Sequence, residues 1–172
     1  MPTLSIVVPA YNEELQIRQV VENLLATKPR LEKETGLEAI EILVVNDGST
    51  DATGTLLSEI RGEFRVVTHE LNRVYGAALK TGFREATGDF VAFMDADGTI
   101  DPESYSAMYK ALVEKEADMV VGKRFGQGSS EMPFVRKIGN RFFAIFLSLL
   151  SGTKVKDTAS GMRLFRKKIV PL

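Results

Sequence analysis

The sequence predicts an α/β fold, a mostly parallel central sheet flanked by helices. Two observations lead there. Short apolar runs rich in Val and Ile alternate with segments of helical period along the chain, and parallel neighbours require crossover connections of this kind. Polar, acidic and glycine residues also gather directly after the runs: "PAYNEE" after the first, "NDGSTD" after the second, "DADG" after the fourth and "GKR" after the fifth. In open parallel sheets ligands bind beyond the carboxyl ends of the strands, so these clusters should converge on one site.

Taken in order, "LSIVVP", "IEILVV", "FRVVTH", "FVAFMD" and "DMVVG" are the predicted strands, brief and apolar. The first helix is expected to follow Asn12 as its cap, with Glu13 and Glu14 in the favourable first turn and Leu15, Val20, Val21, Leu24 and Leu25 recurring near helical spacing. A second follows Asp51 and turns Leu56, Leu57 and Ile60 inward. A third spans Ala77 to Ala86, and a fourth opens at "DPESYSAMYKALVEKE", where Asp101 caps and Pro102 takes the first helical position. No internal repeat or domain linker interrupts the pattern, and "GKRFGQGSSEMP" has the composition of a loop.

At 172 residues the chain, 1–172, has the length of a single domain with its own core. Lys plus Arg number 22 against 23 Asp plus Glu, so no global positive field draws it to nucleic acid. The absence of cysteine excludes disulfides and thiol chemistry and fits a reducing compartment. The opening "MPTLSIVVPAYNEE" lacks a basic segment before its apolar run and is expected to be a strand, not a signal peptide. The longest charge-free apolar run, "FFAIFLSLLSG", is about half the ~20 residues a membrane helix needs. The chain stops on "MRLFRKKIVPL" without a cap or polar tail, and further sequence is expected beyond it.

The acids of "DADGTIDPE" carry the sharpest chemical signal. A calcium loop of the EF-hand kind would place Gly at its sixth and Glu at its twelfth position, where Ile100 and Ser106 stand. Asp and Asp-Gly sequences also shape turns and cap helices, so a purely structural role stands beside a ligand-binding one. Asp95 and Asp97, one residue apart at a strand end, can both turn toward one divalent ion. Carboxylate oxygens suit Mg2+ or Mn2+, whose shell a substrate's phosphates usually complete. No G-x-x-x-x-G-K-[ST] loop is present, and the first strand leads into "PAYNEE" instead of G-x-G-x-x-G. His69, with no second ligand of its type nearby, is expected to be structural.

The segments "SIVVPAYNEE", "ILVVNDGSTDAT", "GAALKTGFREATGDFVAFMDADG", "VVGKRF" and "DTASGMRLF", in this order and over nearly the whole chain, resemble the motifs of family 2 glycosyltransferases, above all the polyprenyl-phosphate glycosyltransferases. The resemblance implies a GT-A fold, a Rossmann-like sheet that binds a nucleoside-diphosphate sugar of the GDP-mannose or UDP-glucose type with a divalent metal. Pro9, Ala10, Tyr11 and Glu13 would line the nucleotide pocket, and Asp47 would accept a hydrogen bond from a base N–H. Asp95 would reach the ribose or the metal, and Asp97 would be the principal metal ligand. Three positions depart from the family's pattern: Asn46 replaces a first acid, Val74 stands where Gly is usual, and Thr99 stands where a further metal ligand is often found.

On the acceptor side the resemblance singles out Arg124 and Arg163, and more loosely Arg136 and Asn140, as holders of a polyprenyl phosphate and the departing diphosphate. Arginine suits phosphate through its planar fork of donors. A phosphate acceptor needs no general base, and inversion by direct displacement is expected, with Asp157 positioning the acceptor or an arginine. Two alternatives remain open: transfer to a saccharide or lipid hydroxyl with Asp157 as base, and a non-catalytic nucleotide-sugar binding module. The segment 132–150 is amphipathic and locally basic. It fits a core helix and a membrane-interface helix equally well by pattern, and the resemblance favours peripheral association with the cytoplasmic face of a membrane.

Overall fold

The computed structural model describes residues 2–122 and 162–170. The chain divides into two compact units, 1–121 with 162–172, and 122–161. Arg124, Arg136, Asn140 and Asp157, together with the amphipathic segment 132–150, lie outside the described residues.

The first unit runs β1 (Thr3–Ala10), α1 (Ile17–Thr35), β2 (Ala39–Asn46), α2 (Thr53–Glu59), β3 (Arg65–Thr68), α3 (Tyr75–Glu85), β4 (Phe90–Met94), α4 (Ser104–Glu114), β5 (Met119–Val121) and β6 (Met162–Arg166). All five predicted strands are present. They form one sheet in the order β3-β2-β1-β4-β6-β5. β1 to β4 are parallel, whereas β6 pairs antiparallel with both β4 and β5. The order reverses between β1 and β4, since β1 leads by way of α1 to β2 on one side and β3 returns by way of α3 to β4 on the other. A crevice therefore opens at their carboxyl ends.

Alternation along the strands separates two apolar faces. Leu4, Ile6 and Val8 of β1, Ile42 and Val44 of β2 and Ala92 and Met94 of β4 meet α1, α2 and α4 through Val20, Leu24, Leu57, Tyr105 and Leu112. Val7, Leu43, Val45, Val91 and Phe93 face α3 through Ala78, with Phe83 packed on that cluster. α3 approaches closely because Gly82 has no side chain: a Cβ there would stand 2.2 Å from Val7 Cγ1.

Three helix starts differ from expectation, α3 opening at Tyr75, two residues before Ala77. α1 begins at Ile17, not just after Asn12. Asn12 is left-handed (φ 55°), and its Oδ1 accepts the Thr50 N–H at 2.8 Å, so it bridges two loops instead of capping a helix. Leu15 consequently falls before the helix and is 87% exposed, while Val20, Val21 and Leu24 are buried as expected. α4 begins at Ser104, after a turn in which Asp101 Oδ1 accepts the Glu103 N–H at 3.0 Å.

Candidate functional site

The loops after β1, β2 and β4 meet around an open cleft of about 410 Å³. Pro9, Ala10, Tyr11, Glu13, Asp47, Asp95 and Asp97, seven residues singled out from the sequence, all line it. Asn72, Val74 and Tyr75, from the β3–α3 connection and the start of α3, line it too.

"PAYNEE" and "NDGSTD" are bound to each other. The Asp47 N–H donates to the Ala10 carbonyl at 2.8 Å, Asn12 N–H to Ser49 Oγ at 3.0 Å, Glu13 N–H to Thr53 Oγ1 at 2.8 Å and Glu14 N–H to Asp51 Oδ2 at 3.1 Å. Each hydroxyl or carboxylate satisfies a backbone donor left over where a strand ends. Gly48 (φ 67°) permits the tight path, since a Cβ there would lie 2.4 Å from the Leu71 carbonyl carbon. The turn chemistry and the cleft are thus one arrangement.

Asp47 lines the cleft and is 2% exposed. Its Oδ1 accepts the Arg73 N–H at 3.0 Å and lies 2.6 Å from His69 Nδ1. His69 Nε2 lies 3.0 Å from Thr81 Oγ1 on α3. The pattern suits an imidazole that donates from Nδ1 and accepts the threonine hydroxyl at Nε2. No hydrogen bond to Asp47 Oδ2 occurs among the described residues, which leaves that oxygen for a donor in the cleft. His69, expected to be structural, fixes Asp47 together with the Arg73 N–H.

At the β4 end, Asp95 Oδ1 accepts the Tyr75 hydroxyl at 2.7 Å. Burial and then this carboxylate push the Tyr75 phenol well above its ordinary range, so it stays a donor. Asp97 Oδ1 accepts both the N–H and the hydroxyl of Thr99, at 3.0 and 2.7 Å. Thr99 is therefore the residue that aims Asp97, and Gly98 (φ 71°) makes the turn between them. Arg163 of β6 stands opposite Phe93 of β4, its guanidinium 5.9 Å from the ring centroid. Its charge acts on the Tyr75 phenol, although it is not among the residues lining the cleft.

Like charges converge here. Burial, then Asp97, Asp51 and Asp95, raise the Glu13 carboxyl above its ordinary value. No group of three or more His, Asp or Glu placed to hold a metal occurs among the described residues. Asp95 and Asp97 form an oxygen donor set that fits a hard divalent ion completing its shell with water and ligand oxygens. The repulsion felt by Glu13 is what such an ion would relieve.

Sequence reasoning missed Tyr75, Asn72 and the His69–Asp47 contact. The last had a signal in the parallel register of β2 and β3: Asn46 stands beside Thr68, so the next residue of each strand, Asp47 and His69, are neighbours.

Glycosyl transferase family 2 matches residues 5–171 of the chain. Among curated proteins, the UDP-N-acetylglucosamine–dolichyl-phosphate N-acetylglucosaminyltransferase of Methanococcus voltae is 29% identical over 94% of this chain and 68% of its own length. The undecaprenyl-phosphate 4-deoxy-4-formamido-L-arabinose transferase of Proteus mirabilis is 30% identical over 97% of this chain and 50% of its own. The chain spans between 23% and 68% of the length of eight of the curated relatives it matches. Glucosyl-3-phosphoglycerate synthase from Mycobacterium tuberculosis, solved with Mn2+, UDP and phosphoglyceric acid, superposes with a TM-score of 0.69 at 23% identity, covering 97% of this chain and 56% of that one. The likeness agrees with the GT-A fold expected from the sequence.

Proposed function

The chain belongs to glycosyl transferase family 2, and from that premise we propose that it moves a sugar from a nucleoside-diphosphate sugar to a polyprenyl phosphate, with a divalent metal and inversion at the anomeric carbon. The observation that carries the reading is the convergence of Asp47, Asp95 and Asp97 on one cleft, each with Oδ1 held by hydrogen-bond donors of the protein itself. Prepositioned acceptors of this kind suit a ligand that presents an N–H, hydroxyls and a metal-bound diphosphate along its length.

In this reading Asp47 accepts the base N–H, Asp95 meets a ribose hydroxyl or the metal, and Asp97 holds the metal. Pro9, Ala10, Tyr11 and Glu13 shape the pocket wall. Bound Mg2+ or Mn2+ supplies positive charge at the diphosphate as the sugar bond breaks. Arg163 and Arg124 add charge for the two phosphate groups, with Arg136 and Asn140 on the acceptor side and Asp157 orienting them. The acceptor phosphate is already mostly ionised near neutral pH, so attack on the anomeric carbon requires no proton abstraction. That the relatives from M. voltae and P. mirabilis carry dolichyl and undecaprenyl phosphate in their names supports this acceptor class, and the Mn2+ and UDP bound to the M. tuberculosis synthase support the donor and metal.

A polyprenyl chain lies in a bilayer, so the reading puts the domain at the cytoplasmic face of a membrane as a peripheral protein. No helix among the described residues is long and apolar enough to cross a membrane. The test is a transfer assay with GDP-mannose, UDP-glucose and UDP-N-acetylglucosamine, each offered polyprenyl phosphate or a saccharide hydroxyl acceptor, with and without Mn2+. Metal-dependent transfer to the lipid phosphate is expected. Transfer only to a hydroxyl would replace the acceptor assignment, and nucleotide binding without any transfer would leave a binding module.

A further inference from the structure

Val74 adopts φ 65° and ψ 157°, a region that is essentially reserved for glycine and is especially hostile to a β-branched side chain. The other non-glycine residues of positive φ among those described, Asn12 and Glu116, are unbranched and polar. Its neighbours hold Val74 there. The Val74 N–H donates to Asn72 Oδ1 at 2.7 Å, the Val74 carbonyl accepts the Ala77 and Ala78 N–H groups that start α3, and the preceding Arg73 N–H is tied to Asp47. Glycine would follow the same path without strain.

Burial does not offset the strain. The Val74 side chain is 71% exposed and belongs to neither apolar cluster, so the folded chain alone gains little from its two methyl groups. Yet the residue lines the cleft together with Asp47, to which the neighbouring Arg73 N–H is bound, and with Tyr11, which is 44% exposed and offers a second apolar surface. We propose that Val74 is a specificity-determining residue whose isopropyl group packs on the base of a bound nucleoside diphosphate, together with Tyr11, so that strain carried by the empty protein is compensated only in the complex. The inference rests on the nucleotide reading of the cleft. It adds that the base is gripped through an apolar contact made by a residue in a glycine conformation.

The test compares the full chain with V74G and V74A, measuring the melting temperature without ligand and the affinity for UDP and for GDP in the presence of Mn2+. V74G should raise the ligand-free melting temperature by roughly 2–4 °C, because relief of strain exceeds the added backbone entropy of glycine. It should weaken the better-bound nucleotide by roughly three- to tenfold, the range expected for two methyl groups left without their contact. V74A should weaken binding similarly without the gain in melting temperature, since alanine keeps the Cβ. A V74G protein that binds the nucleotide as tightly as wild type, or one that melts lower, overturns the inference while leaving the nucleotide reading in place. Wild-type protein that binds neither UDP nor GDP withdraws both.

Discussion

His69 Nδ1 stands 2.6 Å from Asp47 Oδ1, and both side chains are buried. The contact links the end of β3 to the end of β2, and Thr81 extends it to α3 on the α3-covered face of the sheet. A carboxylate so buried is stable only while its donors remain, because losing one costs its desolvation in full. His69→Leu should therefore lower unfolding free energy by roughly 2–4 kcal/mol in urea titrations. It should also weaken nucleotide binding, since Asp47 loses one of the two groups that fix it. Unchanged stability and unchanged binding together would show that the pair does not act as described.

Tyr75→Phe removes one hydroxyl and keeps the ring. The lost hydrogen bond to Asp95 is half-exposed, so its effect on stability should be at most about 1 kcal/mol. Asp95 would lose one donor to its Oδ1. In steady-state kinetics the KM for the sugar donor should rise several-fold with a smaller change in kcat, the signature of lost ground-state binding. A fall in kcat with KM constant would place Tyr75 in the chemical step instead.

Glu13 has the opposite energetic character. Its carboxyl is raised by burial and then by Asp97, Asp51 and Asp95, so in the folded protein it resists ionisation more than in the unfolded chain. The sign follows from linkage: an acid with a raised folded value costs stability at pH above that value, and the cost disappears below its ordinary value of 4.5. Glu13→Gln should thus melt higher than wild type at neutral pH, with the difference vanishing as the pH is lowered below 4.5. A melting temperature lower than wild type at neutral pH would contradict the repulsion.

What was legible in the sequence divides along local and long-range lines. The apolar runs announced β1, β2 and β4 because buried parallel strands are near-continuous in apolar residues, while β3 and β5, more exposed and at the two edges of the sheet, showed through short Val-containing runs. β6 escaped notice: "MRLFR" has no β-branched residue and two arginines, and its place between β4 and β5 is set by pairing partners far away in the chain. The site was visible as clusters after strands, and the structure brings seven of those residues to one cleft. Thr99 showed only as a missing ligand, since its actual work, two hydrogen bonds to Asp97, is a matter of turn geometry. Asn12 matched a helix cap in pattern, but the competing bond to Thr50 in the neighbouring loop drew it away.

The central claim is that the cleft binds a nucleoside diphosphate through a metal held by Asp97. Calorimetric titration of UDP and of GDP into the full chain tests it most directly, with Mn2+, without it, and with Asp97→Asn in its presence. The account predicts that wild type binds one of the two nucleotides, and that affinity falls roughly tenfold or more when either the metal or the Asp97 carboxylate is removed. Binding of equal strength in all three titrations, or none in the first, would contradict it.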